Sequence, residues 1–245
     1  MLTHRLAAAA RPSGHPAKLS ACADELIGKL PHVRHSYGAR HRLVREGERQ
    51  SSCYVLLSGF AHRHRVTTDG QRQITRLYVP GDVVGLDGGH GGPSRQGIEA
   101  AGPVAVAAIS LAELGTAARD DAGLAVTLWA EALAEAAATS EWVVNIGRRN
   151  ARDRILNLFC ELNVRLERAG VALRGAFDLP LTQADLADAT GLTPVHVNRV
   201  IRSLESEGVI ERRGRAISFK DWRFVAGLAD FQPGWWQRLE TGQAN

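Results

Sequence analysis

Residues 181–210 read LTQADLADATGLTPVHVNRVIRSLESEGVI, and they predict two helices joined by a tight turn. Thr182 is a favourable N-cap, and Asp185 three residues later completes a capping box. Gly191 ends the first helix, because glycine adopts a left-handed backbone at little cost. Thr193 then caps a second helix whose first position is Pro194, where the missing N–H does no harm. This stretch therefore has the pattern of a helix-turn-helix.

The second helix of this motif has two unlike faces. Its apolar residues recur at helical spacing and should face the core. They are Val197, Val200, Ile201 and Leu204. The opposite face is mostly polar, and it carries Val195, His196, Asn198, Arg199 and Arg202. Because a helix with such a face can lie in the major groove of DNA and contact base edges, we predict that these residues read DNA.

A β-hairpin is predicted after the second helix. Gly208 stops that helix, residues 209–211 predict a strand, and residues 216–219 predict the returning strand. The turn between the strands carries three arginines, which are Arg212, Arg213 and Arg215. A capped helix-turn-helix followed by a basic hairpin is typical of a winged DNA-binding domain, which we expect over residues 148–221. The alternative is an ordinary helical hairpin with a basic surface.

The chain has 245 residues, which is enough for two modest domains. An apolar fraction of 44% and a charged fraction of 23% are typical of a globular protein and not of a disordered one. The net charge of +4 suits a polyanionic partner. Three cysteines lie far apart, without the spacing of a metal site or a disulfide framework. Neither a signal peptide nor a membrane-spanning segment is recognisable, so we expect a cytoplasmic protein that does not contact the membrane.

Short strands between glycine-containing turns fill the region before residue 110. Residues 1–22 predict a flexible tail, and residues 21–30 a short helix. The predicted strands cover residues 41–45, 53–58, 61–67, 73–79, 82–85, 97–101 and 104–109. Strands at this spacing predict a small antiparallel barrel or roll, which we assign to residues 23–120.

A long helix is predicted over residues 121–147. Apolar and small residues recur along it at alternating steps of three and four, and they are Val126, Trp129, Leu133, Ala136, Ser140, Val143 and Gly147. This set, called the seam below, has the heptad pattern of a two-stranded coiled coil and favours a homodimer. The alternative is a stripe that packs on the roll. Residues 150–168 predict another helix, and residues 222–245 predict a helical C-terminal tail.

With roll, long helix and winged helix-turn-helix in this order, the chain resembles the Crp/Fnr family of bacterial transcription regulators. Besides the helix-turn-helix, the marks of this resemblance are Glu46-Gly47-Glu48, Leu57-Ser58-Gly59, Val79-Pro80-Gly81-Asp82 and Thr139-Ser140-Glu141. The resemblance implies an α+β fold with an N-terminal antiparallel β-roll like a cyclic-nucleotide-binding domain, a long dimerisation helix and a C-terminal winged helix-turn-helix. It also implies a homodimer that binds a palindromic promoter site in double-stranded DNA and works with RNA polymerase.

Three reading residues are expected to contact bases. Arg199 can make a bidentate contact with guanine, and Asn198 can do the same with adenine or hold a phosphate. Family members usually carry a glutamate, which accepts from cytosine, at the position of Val195. Because valine accepts no hydrogen bond but can pack against a thymine methyl group, we expect a half-site related to the TTGA/TGTGA types with an altered base pair facing Val195.

Other residues suit contacts with the phosphate backbone. Cationic or polar side chains and exposed helix N-termini hold phosphates without reading sequence. The expected set is Thr182, Gln183, Thr193, His196, Arg202, Arg212, Arg213 and Arg215.

The resemblance also indicates where an effector would bind in the roll. The corresponding positions are Leu86, Ser94, Arg95, Thr139 and Ser140. Leu86 stands where the cyclic-AMP-binding branch has a glutamate for the ribose, and Ser94 stands where it has an arginine for the phosphate. We therefore do not expect a cyclic nucleotide, although Arg95 could meet a phosphate.

Other cofactors are weighed by the residues that they need. A [4Fe–4S] cluster of the usual kind needs four thiolates, and the chain has three cysteines. Haem stays open, since one histidine suffices. The available histidines are His32, His35, His41, His62, His64 and His90, most of which we expect at the surface. Our first expectation is a regulator with an unknown effector or none, as in the FixK-like branch.

An enzyme is the competing class. His62 and His64 lie two residues apart on a predicted strand, followed by Asp69, and this is similar to the metal motif of cupin dioxygenases. The carboxylate spacing departs from that motif, and no third histidine is properly placed. Arg63 and Arg65 flank the pair, so we expect a solvated basic edge, with no metal site and no catalytic residue.

Overall fold

The computed structural model describes residues 17–172 and 175–232, which form two compact units. The first unit is Ala17–Ser140, and the second begins at Glu141. Residues 1–16 of the predicted N-terminal tail and residues 233–245 of the predicted C-terminal tail lie outside the described residues. Within these ranges, no helix has the length and apolar character that a membrane span requires.

The first unit is built on antiparallel strands, as predicted. It begins with helix α1, Ala21–Lys29, whose N-cap Ser20 accepts a hydrogen bond from the backbone N–H of Ala23. The strands that follow are β1 (His32–Tyr37), β2 (Arg42–Val44), β3 (Ser52–Ser58), β4 (Ala61–Val66), β5 (Arg72–Tyr78), β6 (Val83–Val84), β7 (Gly97–Ala100) and β8 (Val104–Ser110). A 3-10 helix, Leu86–His90, lies between β6 and β7.

These strands form two sheets, in the orders β1-β8-β3-β6 and β2-β7-β4-β5. Paired neighbours run antiparallel in both sheets. One buried core draws residues from both sheets, among them Val44, Leu56, Tyr78, Ile98 and Val106. The sheets therefore pack face to face as the predicted antiparallel roll.

Helices cover the other face of the first sheet. Helix α2, Leu111–Asp120, begins where Ser110 accepts a hydrogen bond from the backbone N–H of Glu113. Cys53 and Val55 of β3 pack with Leu26 of α1 in a second core. Because successive strand residues point to opposite faces, β3 supplies Cys53 and Val55 to this core and Leu56 to the core between the sheets.

The long helix is α3, Ala122–Arg148, close to the predicted residues 121–147. Its residues 122–140 belong to the first unit and residues 141–148 to the second. In the second unit, the indole N–H of Trp142 donates to Glu161 Oε2 at 2.8 Å. Arg165 Nη1 donates to Glu161 Oε1 at 2.9 Å, so both oxygens of this buried carboxylate have partners.

The second unit contains the winged helix-turn-helix. After α3 its elements are α4 (Ala151–Arg168), β9 (Ala176–Asp178), α5 (Gln183–Thr190), α6 (Pro194–Ser206), β10 (Ile210–Arg213), β11 (Ala216–Phe219) and α7 (Trp222–Leu228). Apolar residues at helical spacing on α4 are buried, and they are Ile155, Leu158, Phe159, Leu162 and Leu166. Aromatic contacts join Phe159 to Phe177 of β9, and Phe177 to Phe219 of β11.

Two strands and one α-helix are not predicted by the sequence pattern. Strand β1 is an edge strand with a mostly exposed burial pattern, so it lacks the alternation that marks a half-buried strand. Strand β9 has only three residues and depends on pairing with β11. Helix α2 does carry a local signal, since Ser110 and Glu113 have the spacing of an N-terminal cap.

Candidate nucleic-acid interface

Helix α5 has the caps that its sequence predicts. Thr182 Oγ1 accepts from the backbone N–H of Asp185 at 3.1 Å, and Asp185 Oδ2 accepts from the backbone N–H of Thr182 at 3.0 Å. Gly191 follows the helix with φ of 64°, a left-handed conformation that favours glycine. At the N-terminus of the helix, Thr182 is exposed and Gln183 is half-buried. The predicted capping box and turn are confirmed.

Helix α6, called the reading helix below, buries one face as predicted. Thr193 Oγ1 accepts from the backbone N–H of His196 at 3.2 Å, and Pro194 occupies the first helical position. The four predicted apolar residues, Val197, Val200, Ile201 and Leu204, are all buried. Their burial turns the remaining face outward.

The outward face of the reading helix combines an apolar side chain with two cationic ones. Val195, Arg199 and Arg202 follow at steps of four and three, so they lie on one side of the helix, and all are exposed. Val195 is 81% exposed, which leaves its methyl groups open to contact. His196 and Asn198 beside them are half-buried. This face can donate paired hydrogen bonds and make a methyl contact.

The wing has a shorter turn than predicted. Arg212 and Arg213 lie in β10, where Arg212 pairs with Ile217 of β11, because the hairpin ladder extends further than the strand pattern indicates. Arg213 and Arg215 are exposed at the tip, on either side of Gly214. Arg212 Nε lies 3.3 Å from Glu205 Oε1, so this arginine joins the wing to the reading helix.

A second ion pair joins the C-terminal end of the reading helix to α4. Arg152 Nη1 of α4 lies 2.5 Å from Glu207 Oε2, and Ser203 Oγ donates to Glu207 Oε1 at 2.6 Å. The hydrogen bonds from Ser203 and Arg152 lower the pKa of Glu207 below its ordinary value. No sequence motif predicts that Arg152 binds Glu207 or that Arg212 binds Glu205, because both contacts depend on how α4, α6 and the wing pack.

The fold uses the five predicted effector residues in different ways. Leu86 packs against the core beneath the helices. Ser94 is buried, and its hydroxyl donates to a backbone carbonyl two residues further on at 2.8 Å. The hydroxyl of Thr139 donates to the backbone carbonyl of the preceding turn at 2.9 Å. Since Arg95 and Ser140 are exposed, these five side chains do not share one environment.

A buried charged cluster lies between the strands and α3 of the first unit. Arg63 of β4 pairs directly with Arg76 of β5, and both are buried. Glu135 of α3 binds both, with Oε1 3.0 Å from Arg63 Nη2 and Oε2 3.2 Å from Arg76 Nε. Tyr78 donates its hydroxyl to Glu135 Oε1 at 3.4 Å, and burial raises the pKa of Tyr78 well above its ordinary value. The sequence signal for this cluster is Arg76, which directly precedes the apolar end of β5 at Leu77 and Tyr78.

The solvated basic edge expected at the histidine pair is wrong for two of its residues. His62 is 1% exposed and Arg63 is buried too, because β4 lies inside its sheet between β7 and β5. His62 Nε2 lies 4.0 Å from Glu99 Oε1. Burial lowers the pKa of His64. In the residues that the structure describes, no group of three histidine, cysteine or acidic side chains is placed to hold a metal ion.

The other candidate haem ligands differ in exposure. His35 and His41 are exposed and His32 is half-buried, whereas the side chain of His90 lies outside the described part of the structure. The rings of His35 and Tyr37 stack with centroids 5.7 Å apart, and those of Tyr37 and His41 with centroids 3.8 Å apart. His35 and His41 therefore both stack with the ring of Tyr37 at the surface of the first unit.

All three cysteines are buried free thiols. Burial raises the pKa of Cys22 to about 12, that of Cys53 to about 11 and that of Cys160 to about 12. The thiolate is the form that binds metals and reacts with oxidants. At neutral pH these groups are therefore protonated packing residues.

The seam of α3 is exposed along its length. Val126 is 68% exposed, and Trp129 and Val143 are each 67% exposed. The other seam residues, Leu133, Ala136, Ser140 and Gly147, are also exposed. The stripe therefore does not pack on the roll, where Leu124 and Glu135 of α3 make the contacts instead. An exposed apolar stripe of this kind is typical of an interaction surface.

Comparison with known proteins identifies the domains. The cyclic nucleotide-binding domain matches residues 34–121, and the Crp-like helix-turn-helix domain matches residues 153–225. The transcriptional activator protein FnrL of Cereibacter sphaeroides is 27% identical over 215 residues, which cover 83% of this chain and 84% of FnrL. The nitrogen fixation regulation protein FixK of Bradyrhizobium diazoefficiens is 28% identical over 208 residues, 84% of each chain. The chain belongs to the Crp/Fnr family.

Structural comparison agrees with this assignment. The structure of FixK2 from Bradyrhizobium japonicum superposes with a TM-score of 0.74 at 28% identity, covering 81% of this chain and 98% of FixK2. The predicted α+β fold and its order of roll, long helix and winged helix-turn-helix are confirmed. This Crp/Fnr protein is therefore a DNA-binding transcription regulator, similar to FixK.

Proposed function

We propose that this Crp/Fnr regulator binds a palindromic promoter site as a homodimer and needs no added small ligand to do so. The carrying observation is the exposed face of the reading helix, where Val195, Arg199 and Arg202 lie opposite a fully buried face. Guanidinium groups match the acceptors of guanine, and a valine side chain matches the methyl group of thymine. The face thus suits sequence readout in the major groove.

Three residues on and beside this face make the proposed base contacts. Arg199 donates to O6 and N7 of guanine, and Asn198 contacts adenine or a phosphate. Val195 packs against a thymine methyl group, so the half-site is related to the TTGA/TGTGA types but differs at the base pair that faces Val195.

Phosphate contacts position the domain on the duplex. Exposed helix N-termini and cations at the wing suit this task because phosphates carry no base information. The proposed set is Thr182, Gln183, Thr193, His196, Arg202, Arg212, Arg213 and Arg215. Glu205 already binds the side chain of Arg212, so only the remaining N–H groups of this arginine are available for a phosphate. Its contribution to DNA binding is therefore the weakest of the three wing arginines.

A second copy of the chain covers the seam. Large apolar residues at Trp129 and Leu133 are followed by small ones at Ala136, Ser140 and Gly147, which allow two helices to approach closely. Two-fold symmetry then presents two reading helices to two half-sites about one helical turn apart.

Ligand independence is supported by how the first unit uses its polar groups. The hydroxyls of Ser94 and Thr139 bind backbone carbonyls, and Leu86 belongs to a core. A cyclic nucleotide would need polar partners at these positions. We propose that the protein acts in the cytoplasm with RNA polymerase, without haem, metal or catalytic activity.

Fluorescence anisotropy tests this function directly. The chain, purified without added ligand, is titrated onto TTGA/TGTGA-type palindromes and onto scrambled duplexes at two salt concentrations. We expect the protein to bind the best palindrome at least about 1,000-fold more tightly than the scrambled duplex at physiological salt. An absorption spectrum of the same sample checks that no haem is present. Equal affinity for all duplexes at both salt concentrations would contradict the proposal.

The wing arginines should govern salt dependence more than sequence preference. Each phosphate contact contributes about 0.9 to the slope of log affinity against log salt concentration. Because a dimer carries each residue twice, Arg213→Ala and Arg215→Ala should each lower that slope by about 1.8. Arg212→Ala is the matched control in the same hairpin, and its slope should change less because Glu205 already binds its side chain. The prediction fails if the tip variants retain the parental slope.

A further inference from the structure

Two buried arginines face each other across neighbouring strands of the roll. Arg63 of β4 and Arg76 of β5 are a directly opposed pair. Arg76 lies two residues before Tyr78 on the same strand, so it shares the face that Tyr78 turns to the core between the sheets. Two guanidinium groups removed from water in this way require an anion, because an unpaired buried charge is strongly unfavourable.

The chain itself supplies an anion at this place. The two carboxylate oxygens of Glu135 divide between the arginines, Oε1 at 3.0 Å from Arg63 Nη2 and Oε2 at 3.2 Å from Arg76 Nε. The hydroxyl of Tyr78 adds a third contact at 3.4 Å. A carboxylate held between guanidinium groups and a hydroxyl is bound as a small anionic ligand would be bound.

Glu135 belongs to the helix that carries the seam. In the sequence it lies between the seam residues Leu133 and Ala136, and both of these are exposed. The ion pairs of Glu135 hold one side of this helical turn against the strands, so the exposed side is the one that a second copy can contact. All the residues of this contact belong to the first unit.

We propose that Glu135 is an internal effector: its carboxylate fills the anion position between Arg63 and Arg76 and holds the seam in the arrangement that is competent for DNA binding. The inference rests on the proposed function, since it explains why no added ligand is needed. It also assigns a class of ligand to the position between the two arginines. Without Glu135, the arginine pair becomes a site for a small free carboxylate.

The test removes the side chain and returns its missing part. Glu135→Ala deletes the equivalent of acetate, so anisotropy on the palindrome is measured for the parent and the variant in chloride, in acetate of equal ionic strength, and in chloride with acetamide. Apparent affinity falls in proportion to the competent fraction of the protein. We expect the variant to bind about tenfold or more weakly in chloride and to regain affinity in acetate but not in acetamide.

Controls separate this effect from general effects of salt and charge. The exposed Glu113 of α2 lies in the same unit, and Glu113→Ala removes the same charge, so it should bind as the parent in every salt. The ratio of the variant's DNA affinity to that of the parent in the same salt corrects for the effect of acetate on protein–DNA binding itself. Glu135→Gln keeps the shape of the side chain, and it should lose affinity without rescue because its amide occupies the position.

Thermal unfolding gives a readout that does not depend on DNA. Acetate should raise the melting midpoint of Glu135→Ala above its value in chloride, and more than it does for the parent. Parental DNA affinity of Glu135→Gln, or a folded Glu135→Ala that acetate neither stabilises nor restores, overturns the inference while the proposed function stands. If the parent itself binds no palindrome without ligand, the proposed function fails, and the shift in melting midpoint still reports whether the arginine pair takes a carboxylate.

Discussion

We expect the replacement of Arg199 by alanine to remove most of the sequence preference that we propose for this regulator, without changing its fold or its dimerisation. One bidentate contact with guanine contributes about 1–3 kcal/mol of discrimination, and a dimer makes it in both half-sites. The ratio of specific to non-specific affinity should therefore fall about 30-fold or more. Arg199 is exposed, so we expect the free energy of unfolding to change by no more than about 0.5 kcal/mol. Anisotropy on the palindrome and on a scrambled duplex measures the ratio, and thermal unfolding checks the fold.

Arg202→Ala is the matched control for that variant. Both arginines are exposed on the same side of the reading helix, and they differ by less than one helical turn. As a phosphate contact, Arg202 should weaken binding to all duplexes alike and leave the ratio of affinities unchanged. An Arg199→Ala protein that still protects the parental palindrome in a footprint would show that our assignment of the reading helix is wrong.

Val195→Glu extends the same test to a single base pair. A glutamate accepts a hydrogen bond from the N4 amino group of cytosine, whereas valine contacts a thymine methyl group. Val195 is 81% exposed, so the longer polar side chain meets no packing constraint. In a library of half-sites, preference should move towards cytosine at one position and stay constant at the others. An unchanged library profile would mean that Val195 does not face a base.

Replacing Leu133 by glutamate should dissociate the dimer and thereby remove most of the DNA affinity. Symmetry sets each Leu133 near its copy on the partner helix, so the substitution brings two like charges together in an apolar seam. Loss of the second half-site removes the gain from effective concentration, which is about 100- to 10,000-fold. Sedimentation should report a monomer, and anisotropy should report the weaker binding.

Val66→Glu controls for the charge itself. Val66 on β4 is 45% exposed and Leu133 is 47% exposed, so the two substitutions add the same charge to similarly exposed apolar positions of one unit. Val66 lies outside the seam, and its variant should remain a dimer with parental affinity. A Leu133→Glu protein that sediments as a dimer would contradict the assignment of the seam.

Local signals account for the parts of the fold that the sequence predicted well. The capping box of Thr182 and Asp185 and the left-handed Gly191 involve residues close along the chain, and each is found as predicted. The burial of Val197 and Leu204 follows from helical periodicity alone. Strand β9 escaped prediction because its three residues are a strand only through their pairing with β11.

By itself, the sequence determined where the reading helix begins, which of its faces is buried, and that Val195 and Arg199 lie on the other. Backbone caps and helical periodicity act over a few residues, so they can be read from the order of amino acids. The tertiary structure alone decided that Arg63 and His62 are buried and that Glu135, remote in sequence, supplies the carboxylate for Arg63 and Arg76. An arginine suits a solvated edge or a buried ion pair equally well in its own neighbourhood, and only the packing of α3 against β4 and β5 places a counter-charge within contact distance.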